Sequence, residues 1–100
     1  MPRILIVDSD LNIAQELQPI LAAEGFEVLI AVSGQGAATM AQVNRPSLVL
    51  LDVQLPDVDG YEVCRLLRSG TATAKLPILI YSARSDVEDK VAGFKAGAND

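Results

Sequence analysis

Three places in the chain carry residues suited to chemistry, and each directly follows an apolar run. Asp8-Ser9-Asp10 follows Ile4-Leu5-Ile6-Val7, Asp52 follows Leu48-Val49-Leu50-Leu51, and Ser82-Ala83 follows Ile78-Leu79-Ile80-Tyr81. Carboxylates gathered at one rim attract a hard cation; Mg2+ takes oxygen ligands in octahedral geometry and keeps several waters. Each residue also has a plainer reading on its own. Asp8 or Asp10 fits the cap of a following helix. Asp52 fits a solvated turn, Ser82 a turn or capping hydroxyl, and Leu55-Pro56-Asp57-Val58-Asp59-Gly60 a turn entering a helix. Together they weigh differently. A charge at the end of an apolar strand is costly without a use, and two runs end in an acid while a third ends in a hydroxyl.

The elements that would position these residues follow from pattern. The apolar runs, with Val28-Leu29-Ile30 as the second in chain order, are branched and nearly continuous. That texture marks strands covered on both faces, as in parallel sheets. Helix-length stretches lie between them. In the first, Ile13, Ala14, Leu17, Ile20 and Leu21 share a stripe at helical spacing. Gly25 stops it, and Pro19 predicts a kink or a shortened helix. A second helix is expected over about Gly34 to Val43, ended by Asn44-Arg45-Pro46. A third runs from about Gly60 to Arg68, with Val63, Leu66 and Leu67 inward and Arg65 and Arg68 outward. Ser69-Gly70-Thr71-Ala72-Thr73 reads as a loop. Ser85 and Glu88 form a capping-box pattern that opens a fourth helix, reaching about Ala96. Strands alternating with helices imply a parallel sheet with helices on both faces, wound by right-handed crossovers. In such sheets ligands bind outside the carboxyl ends of the strands.

Composition excludes several classes. One hundred residues, half of them apolar and 21% charged, make one globular domain with one core. No apolar run approaches the ~20 residues of a membrane helix, and the start is too short for a signal peptide. The single cysteine, Cys64, rules out an intrachain disulfide framework. With no histidine, a His-based triad and a His metal site are excluded. A net charge of −5 disfavours direct nucleic acid binding by this domain. A soluble, cytoplasmic domain is expected.

The residues also resemble a known family. Ile4-Leu5-Ile6-Val7-Asp8, the stretch from Leu48 through Asp52, Gln54, Pro56 and Asp59 to Gly60, Pro77-Ile78-Leu79-Ile80-Tyr81-Ser82-Ala83 and Gly97-Ala98-Asn99-Asp100 are similar to the receiver domain of two-component response regulators. The likeness covers the whole chain in the right order, and the central stretch is its most specific part. It implies a flavodoxin-like (CheY-like) α/β fold with strand order 2-1-3-4 and a single receiver domain over residues 1–100. It implies that Asp52 is the phosphoacceptor for a sensor histidine kinase or phosphotransfer protein, working with Mg2+. Asp8 would belong to the acidic pair that holds the metal, and the backbone carbonyl of Gln54 would be a third contact. The Gln54 side chain stands where the family tunes phosphoryl lifetime. Ser82 matches the switch hydroxyl that turns toward the phosphoryl group. The chemistry agrees: a divalent cation offsets the repulsion between a carboxylate and a phosphoryl group, and a hydroxyl donating to the phosphoryl oxygen converts local charge into a loop shift.

Two departures stand out. The family usually has a second acid directly after the first, and here that place holds Ser9. A hydroxyl is a weaker Mg2+ ligand than a carboxylate; Asp10 either compensates or caps the helix. The family also carries a lysine on a fifth strand followed by a fifth helix. Lys75, Lys90 and Lys95 do not stand in that context, so the chain reads as a receiver incomplete at its C-terminus. Any effector domain is then expected beyond it. An uncovered fourth strand would present an apolar edge, so the expectation is either self-association through it or that these residues are the ordered part of a longer polypeptide. Two other readings compete with a phosphoacceptor switch that is not itself an enzyme. One is a degenerate receiver acting as a phosphorylation-independent interaction module, favoured by Ser9. The other is a flavodoxin-like cofactor binder, opposed by Asp8-Ser9-Asp10, which would repel a phosphate.

Overall fold

The computed structural model describes residues 2–81. Seven elements alternate: β1 (Arg3–Val7), α1 (Leu11–Ala23), β2 (Glu27–Ala31), α2 (Gly34–Asn44), β3 (Leu48–Asp52), α3 (Gly60–Ser69) and β4 (Ile78–Tyr81). All strand pairs are parallel, and the sheet order is β2-β1-β3-β4, as expected from the sequence. The fourth helix expected from Ser85, together with Lys90 and Lys95, lies outside the described residues.

β1 is flanked by β2 and β3, and four of its five residues are buried. Its side chains divide between two cores with a period of two. Leu5 and Val7 join Ala31, Val49, Leu51 and Ile78 beneath α2 and α3, where Ala37, Ala41, Val63, Cys64 and Leu67 close the layer. Ile4 and Ile6 join Ala14 of α1, with Leu17, Leu21, Val28, Ile30, Leu48 and Leu50 around them. The register stacks equivalent positions, with Leu5 beside Leu29 and Val49, and Val7 beside Ala31 and Leu51. Each fully buried Leu, Ile or Val of this kind contributes roughly 1.5–3 kcal/mol.

Several local expectations are corrected. Pro19 lies inside α1 without shortening it: the helix runs four residues beyond, to Ala23. A proline removes one backbone donor, and the carbonyl that loses it belongs to exposed Gln15. Gly25, at φ +92°, ends the segment in a conformation that other residues rarely adopt. Ile13 and Ile20 are exposed and not on the inward stripe. At 100° per residue they sit about a quarter to a third of a turn from Ala14, which is the buried position. Leu66 is likewise half exposed, at 50%, because α3 turns Cys64 inward beside Val63 and Leu67, the two residues expected there. Ser69, expected in the loop, is the last residue of α3, and in the turn that follows Thr73 is buried, its Oγ1 donating to the Leu67 carbonyl at 2.5 Å. The Cys64 thiol, buried, is pushed up to about 11, chiefly by desolvation. It is an inert core residue.

Candidate functional site

The carboxyl ends of β1 and β3 are neighbours because β3 pairs with β1 through Val7 and Leu51. Asp8 follows β1 immediately and Asp52 is the last residue of β3, so the topology places the two acids at one rim. Asp8 is 1% exposed. Its Oδ1 accepts the N–H of Asp10 at 2.8 Å, and its own N–H continues the ladder to Ala31 at 3.0 Å. Asp52 is half-buried and accepts the Gln54 N–H at 3.2 Å.

Burial pushes the Asp52 carboxyl above its ordinary value. The Gln54 N–H opposes that shift, while the charge of Asp8 and a hydrogen bond with it add to the rise. A carboxylate as close as Asp8 disfavours the ionised form of Asp52. A rim of this kind gains from any cation placed between its acids.

The choice between Asp8 and Asp10 is settled by the geometry. Asp10 is the N-cap of α1, with its side chain accepting the Asn12 N–H at 2.9 Å. Asp8 instead fixes the turn that delivers Asp10. Ser9 lies across the rim, its Oγ donating to the Gln54 carbonyl at 3.4 Å. The residues that could hold a cation here are therefore the two carboxylates of Asp8 and Asp52 with the Gln54 carbonyl. No group of three His, Cys, Asp or Glu residues suited to a metal occurs among the described residues. Two carboxylates, one carbonyl and water nevertheless form a donor set that suits Mg2+, which retains several waters. Ser82 lies outside the described residues; Tyr81, directly before it, pairs with Asp52 and so brings the end of β4 to this rim.

Three features of the loop after Asp52 escape a reading of the sequence. Its base is closed by an antiparallel bridge between Gln54 and Asp59 and by the Gly60 N–H donating to the Val53 carbonyl at 2.9 Å. Gly60 has to be glycine: a Cβ there would meet Val53 Cα at 2.5 Å and the Asp52 carbonyl oxygen at 2.7 Å. α3 therefore begins directly against the strand that ends in Asp52, with Asp59 as its N-cap accepting from Tyr61 N–H at 2.8 Å. Asp57 reaches away from the loop to the backbone of Gly34 and Gln35. The only sequence signal for any of these was Pro56-Asp57 and Asp59-Gly60 as turn residues, which name no partner. A shallow open depression is lined by residues 53–59.

Comparison with known proteins agrees with this geometry. The family model for the response regulator receiver domain matches residues 4–100. The DNA-binding dual master transcriptional regulator RpaA of Synechocystis is 41% identical over 100 residues, all of this chain and 42% of that protein. The transcriptional regulatory protein PrrA of Mycobacterium tuberculosis is 42% identical over 99 residues, or 99% of this chain and 42% of its own length. The chain thus spans less than half the length of these curated relatives. Among solved structures, a response regulator from Chloroflexus aurantiacus superimposes with a TM-score of 0.92 at 42% identity, covering 100% of this chain and 83% of that one. The chemotaxis protein CheY4 of Vibrio cholerae gives 0.93 at 31% identity, covering 98% and 82%. A four-stranded parallel sheet ending in an acidic rim, matched along its whole length by such relatives, places this chain in the family of response regulator receiver domains.

Proposed function

We propose that this receiver domain accepts a phosphoryl group on Asp52 from the phosphohistidine of a sensor kinase or phosphotransfer protein in the cytoplasm. The observation that carries this reading is the meeting of buried Asp8 with Asp52 at the β1–β3 rim, with the Gln54 carbonyl beside them. Asp8, Asp52 and that carbonyl would hold Mg2+. The ion, when bound, supplies the positive charge that offsets repulsion between carboxylate and phosphoryl oxygens. Asp52 supplies the nucleophilic oxygen. That oxygen bonds to phosphorus as the bond to the donor nitrogen breaks, and the electron pair leaves with the nitrogen. The Gln54 N–H orients the acceptor carboxylate. Ser82 is the hydroxyl that would then turn toward the new charge.

The named relatives RpaA and PrrA are transcriptional regulators more than twice as long as the matched segment. By that likeness, the output of this domain is control of a DNA-binding domain elsewhere in its polypeptide. Ser9 favours the second reading, a phosphorylation-independent interaction module. Against it stands the retained Asp8–Asp52 pair, which such a module would have no reason to keep at an electrostatic cost. Incubation with a small phosphodonor and Mg2+, read by intact mass, separates the two. The native chain is expected to gain one phosphoryl mass and Asp52→Asn none. Uptake by Asp52→Asn at the native rate would remove Asp52 from the role, and no uptake by either protein would favour the interaction module.

A further inference from the structure

Asp57 is exposed, yet its carboxylate is fully engaged with a distant element. Its Oδ1 accepts the N–H of Gly34 at 2.8 Å, and its Oδ2 accepts the N–H of Gln35 at 3.0 Å. Oδ1 also takes the N–H of Val58 at 3.0 Å. Gly34 and Gln35 are the first two residues of α2. The next N–H, of Gly36, goes to the N-cap Ser33 Oγ at 3.1 Å. A helix leaves its leading N–H groups without internal partners. Here the first two are met by a side chain 23 and 22 positions further along the chain.

Packing reinforces the polar contact. A Cβ on Gly34 would overlap the Val58 side chain and stand 2.9 Å from Val63 Cγ2 and 3.4 Å from Asp57 Oδ1. The loop therefore sits flush on the start of α2 only because residue 34 has no side chain. The Gln54–Asp59 bridge closes the base of the same loop, and Asp57 fastens its tip. The backbone N–H groups, Gln35 first and Gly34 second, hold the Asp57 carboxyl below its ordinary value, as expected for an anion at a helix N-terminus.

The geometry points to Asp57 as a positioning residue that clamps the loop of residues 53–59 onto α2 and thereby holds the Gln54 backbone in place at the acidic rim. The clamp itself needs no assumption about function, whereas its effect on a cation rests on the reading given above. A loop tip released from α2 is free to rotate the Gln54–Leu55 peptide, and with it the Gln54 carbonyl. The clamp also ties the loop beside the rim to the start of α2.

The test uses backbone amide hydrogen exchange and Mg2+ titration, both by NMR, on the native chain, Asp57→Ala, Asp57→Asn and Gly34→Ala. Asp57→Ala is expected to speed exchange at Gly34 and Gln35, and also at Gln54 and Gly60, by about tenfold, the scale of a lost helix cap. Mg2+ binding should weaken several-fold. Asp57→Asn keeps an acceptor oxygen for Gly34 and is expected to restore much of both effects. Gly34→Ala is expected to release the loop from the other side with the carboxylate intact. Faster exchange confined to Gly34 and Gln35 in Asp57→Ala would make Asp57 a helix cap and nothing more, overturning the proposal. Unchanged Mg2+ affinity in Asp57→Ala, where the native chain binds the ion, would also overturn it. A native chain that binds no Mg2+ would refute the functional reading, and exchange at Gln54 and Gly60 would then decide the clamp by itself.

Discussion

Asp52 and Asp57 stand five positions apart on either side of one turn, and the fold treats them in opposite ways. Asp52 is drawn partly into the protein beside another acid, and its ionised form is disfavoured. Asp57 remains in solvent and collects backbone donors from a helix N-terminus, and its ionised form is favoured. Residue type is the same, so the difference lies wholly in what each carboxylate faces. A strand end in a parallel sheet offers burial and a neighbouring strand's acid. A helix start offers unpaired N–H groups. The first arrangement holds an unfavourable charge that a cation relieves. The second spends a charge on holding the backbone still.

The sharpest way to break this contrast is Gly60→Ala, because Gly60 is where the loop that separates the two acids closes onto β3. Its new Cβ would press on Val53 Cα and the Asp52 carbonyl, both backbone, and neither yields like a flexible side chain. A loss of about 2–3 kcal/mol is expected, seen as a fall in Tm of roughly 10 °C or more by circular dichroism. An unchanged Tm would mean that α3 does not start against the strand as described.

Ser9→Asp sharpens the Asp52 side. It adds a third carboxylate to the rim and removes the Ser9 hydrogen bond to Gln54. Without metal the variant should be less stable by about 1 kcal/mol through like-charge crowding, and Mg2+ should bind more tightly than to the native chain. Equal or weaker binding in a calorimetric titration would place the cation elsewhere.

The smallest effects are in the pH dependence, measured with a chelator present. Asp52 has a raised folded-state pKa. What stability it contributes is present below the unfolded value of about 3.8 and is lost as pH rises through the folded value. Asp52→Asn should therefore be more stable than the native chain at neutral pH, with the gain fading in acid. Asp57 has a lowered folded-state pKa, so its contribution is present above its unfolded value, also about 3.8, and is lost as pH falls through the folded value. Asp57→Asn should be the less stable protein at neutral pH, and its deficit should close in acid. Two thermal series that run in parallel would show that the two acids do not differ as the structure has it.

The strands, their parallel sense and the acids that end two of them were legible in the residue pattern, while the strand order was implied by the resemblance to receiver domains. Apolar runs and helical spacing are local properties, and the crossover rule turns a series of them into few topologies. Once β1 and β3 are neighbours, the acids that end them share a rim whatever the side chains between them do. Which of Asp8 and Asp10 caps α1 was not legible, because both spacings satisfy the same rule and only the turn through Ser9 chooses. The inward faces of α1 and α3 were legible at Ala14, Leu17, Leu21, Val63 and Leu67 but not at Ile13, Ile20 and Leu66, which are as apolar as the residues that are buried. Their exposure depends on how each helix is rotated over the sheet. Asp57 and Gly34 met only in the folded chain. A hydrogen bond or a missing Cβ at such a separation leaves no periodic trace, and the close approach of the loop to α2 is decided where the two elements pack.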